Sequence, residues 1–187
     1  MSRRNRGFQF RGHKGRMILP DDFTIGSDSS PDTFTITSEG FVRRPNRVGF
    51  TVARLSDASY GDLAVVKFNY GEINDGDGYD SVTGRFTAPI AGYYYFCLDA
   101  LTDNNAHYYG LYAYYKNGSH IYGAGSGGIR TYTNNQSGNH HEHFTLCAIV
   151  EMAVDDYMEV RSERNTERIY GSADHYHSKW SGFYIGW

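Results

Sequence analysis

The sequence predicts an all-β fold in which antiparallel strands stack as a two-sheet sandwich. Three observations carry this expectation. Short aromatic and β-branched segments recur along the chain, and clusters of Gly, Asn, Asp and Pro separate them, which is the pattern of strands joined by tight turns. Several segments repeat apolar residues at a period of two, as a strand with one buried face does. Composition agrees: 17 of the 187 residues are Tyr and 22 are Gly, the mixture of amphipathic rings and turn formers found in sandwiches and binding surfaces. Only four prolines, and no long Glu/Lys/Ala/Leu periodicity, speak against an extended coil or a helical bundle.

The length suits one hydrophobic core and not comfortably two. A formal net charge of -3 argues against nucleic acid as a partner. No run approaches the roughly 18 apolar residues of a membrane span. The charged start Met1–Arg6 is not followed by an apolar core, so no signal peptide is expected within this sequence. There is no His-Glu-x-x-His, no Gly-x-Ser-x-Gly and no phosphate loop, and the chain is not expected to be an enzyme. Gly123-Ala124-Gly125-Ser126-Gly127-Gly128 does fit Gly-x-Gly-x-x-Gly. The strand-like Ile129–Thr133 follows it, however, where a dinucleotide site needs a helix N-terminus, so it reads as a loop.

In chain order, residues 1–46 form a basic extension. Arg3, Arg4, Arg6, Arg11, Lys14 and Arg16 precede any acidic residue, as in a solvated arm or a tether for an anionic partner. Phe23–Ile25 and Thr33–Thr37 flank a Gly/Ser/Asp/Pro stretch and can form a short hairpin. Residues 47–187 form the main domain. Val48, Phe50 and Val52 share a face of a first strand, and Leu63–Phe68 is expected as the next. Asn74–Gly78, Thr83–Gly84 and Pro89–Gly92 read as turns. Over Tyr93–Leu101, Tyr94, Phe96 and Leu98 fall on one side, and Tyr93, Tyr95 and Cys97 on the other. A half-exposed strand should be polar on one side; this one is aromatic on both, so its second face is expected to meet a partner. His107–Tyr115 repeats the pattern, and Lys116-Asn117-Gly118-Ser119 is a hairpin turn. Phe144, Leu146, Ala148, Val150 and Met152 share a face of the strand after His143, and Ser178–Ile185 closes the domain as a last strand.

The spacing of Phe68, Asn74, Tyr79, Phe86, Gly92, Tyr94 and Phe96 resembles the signature of the complement C1q globular-head (gC1q) family, part of the tumour-necrosis-factor-like superfamily. Leu98 stands where that signature has an aromatic. The likeness extends from about Arg47 to Trp187, including the Lys116-Asn117-Gly118 turn and the terminal Ser178–Phe183 strand, with Trp180 for Phe and Asp155 for a usual Gly. The resemblance implies a jelly-roll sandwich that forms a homotrimer through aromatic-rich sheet faces, which places Tyr93, Tyr95 and Cys97 at the trimer interface. It implies a secreted, lectin-like recognition module of the innate-immunity kind, binding glycans, microbial surfaces or a protein receptor through apical loops. No Gly-X-Y repeat is present, so no collagen stalk is expected here.

Four side-chain groups are candidates for chemistry. His140, His141, Glu142 and His143 offer imidazoles at strand spacing, and three copies around a three-fold axis would supply enough ligands for a transition metal. The resemblance places a calcium near that axis, with Glu142 close to the acidic position. This supports an alternative reading, a metal- or calcium-binding matrix or mineral-associated protein. Arg161, Arg164, Arg168, His175, Tyr176 and His177 are candidates for binding an anionic glycan. Asn117 and Asn135 open glycosylation sequons. Cys97 and Cys147 lie on the non-core faces of strands that the family sets side by side, so a disulfide and two packed thiols are both open.

Overall fold

A computed structural model of the chain describes residues 23–27, 30–36, 42–43, 47–102, 111–121, 130–132, 141–163 and 167–186. Two compact units are present, residues 1–46 and 47–187. The first contains β1 (Phe23–Ser27), β2 (Ser30–Ile36) and β3 (Val42–Arg43) in one antiparallel sheet. Ser27 pairs with Ser30, so the strands meet inside the Gly/Ser/Asp/Pro stretch expected to separate them.

The second unit is all-β, with antiparallel pairing and no helix among the described residues. Its strands are β4 (Gly49–Ala53), β5 (Ser56–Tyr60), β6 (Tyr70–Asp75), β7 (Tyr79–Asp80), β8 (Arg85–Thr87), β9 (Gly92–Leu101), β10 (Leu111–Lys116), β11 (Ser119–His120), β12 (Arg130–Tyr132), β13 (His143–Met152), β14 (Tyr157–Ser162), β15 (Glu167–Ser172) and β16 (Lys179–Gly186). One sheet has the order β13-β9-β16-β4-β6, the other β11-β10-β14-β8-β7 with β12 also on β10, and β15 pairs with β5. This is a jelly-roll sandwich. Alternation fills its interior: Phe50 and Val52 from β4, Tyr94, Phe96 and Leu98 from β9, Phe144, Leu146, Ala148, Val150 and Met152 from β13 and Trp180 from β16 are all buried. They meet Phe86, Tyr112, Tyr114, Met158 and Val160 of the other sheet. The rings of Phe50 and Phe86 lie 4.9 Å apart and those of Phe96 and Tyr114 6.2 Å apart, so aromatic contacts tie the two layers together. Gly182 sits among them because a Cβ there would lie 2.6 Å from both Phe50 and Phe96.

The signature residues have structural work. Tyr79 donates its backbone N–H to Asn74 Oδ1 at 2.9 Å and accepts from Asn74 Nδ2 at 3.0 Å, closing the turn between them. Its hydroxyl donates to the Phe68 carbonyl at 2.9 Å and accepts from the Phe68 N–H at 3.0 Å, and burial pushes the phenol pKa well up. One Tyr thus satisfies two buried backbone groups of a segment that has no ladder of its own. That segment corrects the expectation of a strand over Leu63–Phe68. Only Val65 makes a bridge, to Arg161, with Val66 donating to the Val160 carbonyl at 2.8 Å. Val66 and Phe68 are buried while Lys67 is exposed, so burial alternates although the pairing with β14 is confined to that one bridge.

Asp155, where the family pattern has Gly, takes φ 67° itself, so the turn into β14 keeps its left-handed residue. Asn117 and Gly118, at φ 51° and 75°, form the expected two-residue turn between β10 and β11. The Gly123–Gly128 stretch lies outside the described residues.

Candidate functional site

The outward face of β13, β9 and β16 is the first candidate. Because side chains alternate across a strand, the residues skipped by the core are set by parity. In β9 they are Tyr93, Tyr95 and Cys97, and in β13 Cys147, Ile149 and Glu151. In β16 they are Phe183 and Ile185. Register then gathers them: Ile149, Tyr95 and Phe183 are direct cross-strand neighbours, and the Tyr95 and Phe183 rings are 5.3 Å apart. Ile149 is 56%, Ile185 49%, Phe183 46% and Tyr93 38% exposed, which makes a contiguous apolar patch on the sheet rather than scattered residues. Cys97 and Cys147 face each other in the same ladder and form a disulfide across the patch. This resolves the choice between thiols and a bond, because the register leaves each sulfur opposite the other.

The patch turns polar toward the start of β13. Asp99 pairs with Lys179 in register, accepts from Thr145 Oγ1 at 3.1 Å and contacts His143 Nε2 through its carboxylate. Lys179 bonds Glu72 at 3.1 Å. Beyond the strand ends lies a row of rings. His141 Nδ1 sits 2.9 Å from the Thr102 carbonyl, and its ring is 4.5 Å from that of Tyr170. Tyr170 is 5.3 Å from His177, and His177 is 5.4 Å from His175. Tyr176, between the two histidines, stacks on Tyr70 at 5.3 Å. The Tyr70 side chain, as hydrogen-bond partner, raises the Tyr176 pKa, with nearby Glu72 and Asp174 adding to the effect.

The structure therefore joins two groups that are far apart in the chain. His141 and the His175–His177 loop meet through Tyr170, because the Thr102–Ile169 bridge brings the end of β9 against β15. His143 is held apart from this row by Asp99, and Glu142 donates its N–H to Thr102 Oγ1 at 3.1 Å. Among the described residues no three His, Cys, Asp or Glu side chains converge on one point to hold an ion. His140, Arg164 and Asn135 lie outside the described residues. Asn117 uses both ends of its amide, donating to Asp156 at 2.6 Å and accepting from the Tyr157 N–H at 2.9 Å.

Arg161 goes elsewhere. On the outward face of the other sheet, Arg161 Nε donates to Glu159 Oε1 at 2.7 Å and its guanidinium lies 4.7 Å from the Tyr115 ring centre. Arg85 Nε donates to the other oxygen of Glu159 at 2.9 Å and sits 4.1 Å over the Tyr157 ring. Glu159 is fully buried between them, and its carboxylate, as hydrogen-bond partner, raises the Arg85 pKa. Arg168 lies on β15 opposite Ser59, in the two-stranded sheet. Sequence proximity grouped Arg161 with the histidine loop, whereas β14 carries it into the six-stranded sheet.

Sequence reasoning missed Phe183, Ile149 and Ile185 as companions of Tyr93 and Tyr95. Their parity was available, since each falls on the off-core positions of its strand. Asp99, Lys179 and Tyr170 had no local signal, because their roles come from register.

Solved structures share this fold. The globular domain of zebrafish complement 1qA matches with a TM-score of 0.58 and 18% identity, over 74% of this chain and 97% of that one. Eiger TNF from S. frugiperda gives 0.57 and 9%, over 76% and 94%, and murine APRIL at pH 5.0 gives 0.56 and 11%, over 74% and 99%. No curated protein sequence matches the chain. The family description that matches is the C1q domain, over residues 49–185, which span the sandwich from its first strand to its last. The chain belongs to the C1q domain family.

Proposed function

We propose that this chain works as a secreted homotrimeric recognition module, binding glycans, microbial surface molecules or a protein receptor through the loops at the ends of its sandwich. The observation that carries the reading is the apolar patch of Tyr93, Tyr95, Ile149, Phe183 and Ile185 on an otherwise complete sheet. A second and third copy of the chain are the occupants that family membership favours. Burying a patch of this kind favours association by about 25 cal/mol per Å² of apolar surface covered, before the costs of association. The Cys97–Cys147 bond supports an oxidising, extracellular setting, since disulfides are rare in the cytosol.

Sedimentation velocity on the full chain tests the assembly. The expected result is a trimer that becomes a monomer with unchanged circular dichroism when Tyr93 and Tyr95 are both replaced by Ser. A trimer unaffected by the double substitution, or a wild-type monomer, would remove the patch from the interface. A glycan array with the trimer then tests the ligand class.

A further inference from the structure

The loop between β15 and β16, one of the end loops of the sandwich, holds two imidazoles whose spacing points to a chemistry beyond glycan recognition. His175 and His177 flank Tyr176, and their ring centres are 5.4 Å apart. Two imidazoles bound through nitrogen at about 2.0–2.1 Å to one tetrahedral ion place their ring centres roughly 5 Å apart. The pair is thus spaced as two imidazoles sharing one ion would be.

Three features hold the loop in that shape. The Tyr176 N–H donates to the Ser172 carbonyl at 3.1 Å, closing a turn across the loop. Ser178 Oγ donates to the Tyr170 carbonyl at 2.6 Å and accepts from the Leu101 N–H at 3.1 Å, anchoring the loop's far end to the sheet. Tyr176 itself adopts φ 47°, a left-handed conformation uncommon for an aromatic residue, and backbone outliers of this kind gather where geometry serves a ligand. The Tyr176 ring is pinned between Tyr70 and Lys179, whose Nζ is 5.4 Å from the ring centre. The chain on both sides of it is therefore constrained, and so is the separation of the two histidines.

The electrostatics admit a cation. Glu72 and Asp174 both act on Tyr176, the residue between the imidazoles. Lys179, beside the Tyr176 ring, is already engaged by Glu72 at 3.1 Å. On the inner side His177 rests against the Tyr170 ring at 5.3 Å, while His175 is exposed. The approach to the pair is from solvent.

We propose that His175 and His177 form a two-imidazole site for a borderline divalent cation, zinc or copper. Imidazole nitrogen suits these ions, and calcium, which takes oxygen ligands, would not bind there. Two protein ligands leave the remaining positions to water or to a donor atom of a bound molecule, so the site is an open one. It lies on one chain and is complete without a partner copy. It is distinct from the His143–Asp99 contact at the start of β13.

The test is isothermal titration calorimetry of the chelator-stripped full chain with zinc chloride, supported by electron paramagnetic resonance of the copper(II)-loaded protein. One ion per chain is expected, with nitrogen coupling from two imidazoles. His175→Ala, at an exposed position where folding is not at risk, should weaken zinc binding roughly tenfold or more. The double substitution with His177→Ala should abolish it, while His143→Ala leaves it unchanged. The Tyr93→Ser/Tyr95→Ser variant should still bind one zinc per chain, so failure of the trimer reading and failure of this one are separable. Unchanged zinc affinity in His175→Ala, or one ion per three chains that is lost with His143→Ala, would overturn the proposal.

Discussion

The two outward faces of the sandwich carry similar side chains and end in opposite conditions. On the six-stranded sheet two outward rings have cation partners within the chain: Tyr157 lies under Arg85, Tyr115 lies under Arg161, and both guanidinium groups meet the buried Glu159. On the five-stranded sheet Tyr93, Ile149, Phe183 and Ile185 remain a third or more exposed, mostly hydrocarbon beside hydrocarbon, with the one carboxylate of Glu151 across from Tyr93. Tyrosine is abundant on both faces, so abundance is not the difference. A ring beside a cation is satisfied where it stands, whereas a ring beside Ile and Phe gains only when something covers it. The first face completes the monomer; the second is the part of the fold with surface left to bury.

The largest effect should come from the bond that crosses the uncovered face. Replacing Cys97 and Cys147 with Ser opens a loop of 50 residues, and the chain-entropy estimate for such a loop is about 4 kcal/mol. Thermal unfolding with and without reductant measures it, and a loss below about 1 kcal/mol would mean that the strand ladder alone organises that face. Next comes the covered face. Glu159→Ala leaves two guanidinium groups without their anion. Because Arg85 and Arg161 keep 38% and 19% side-chain exposure, solvent takes up part of the loss. We expect about 2–3 kcal/mol by urea unfolding, with the proposed trimer interface untouched. If the same substitution dissolved the trimer instead, the division between a completing face and an assembling face would fail.

The smallest effect is electrostatic and sits beside the hairpin turn of the covered face. Burial pushes the Asp156 carboxyl up, but Lys116, Asn117 and the Ala153 N–H together hold its pKa below the ordinary carboxylate value. A depressed native pKa adds stability that is fully present above the unfolded value and is lost as pH falls through the native one. Acidification from about pH 5 to pH 2 should therefore cost the wild type roughly 1 kcal/mol more than Asp156→Asn, read as the difference in urea midpoints. Parallel pH curves for the two proteins would show that Asp156 carries no such linkage.

Much of the fold was legible in the chain. The alternation of Tyr94, Phe96 and Leu98 against Tyr93, Tyr95 and Cys97 stated which side of β9 faces the core, and the Asn117-Gly118 turn placed β10 against β11. The Leu63–Phe68 segment misled because its apolar residues are buried without a ladder, and hydrophobicity reports burial rather than pairing. The arginines misled for a related reason. Arg161 and His175 are near in sequence, yet β14 carries one into the six-stranded sheet while the loop before β16 carries the other to the end of the five-stranded sheet. The histidines show the converse: His141 and His177 are 36 positions apart by number and are joined by the single ring of Tyr170.

By itself the sequence determined the properties that are local or periodic. These are the all-β character, the turns, the inward residue of each long strand and the family spacing from Phe68 to Phe96, because each depends on neighbours within a few residues. Tertiary structure alone decided which outward residues share a patch, that Cys97 meets Cys147, that Glu159 takes both arginines, and that His175 faces His177 next to Tyr170. Those outcomes depend on strand order and register. A shift of one residue in register would send every side chain of a strand to its other face, and that choice is made by the packing of the whole core rather than by any segment of it.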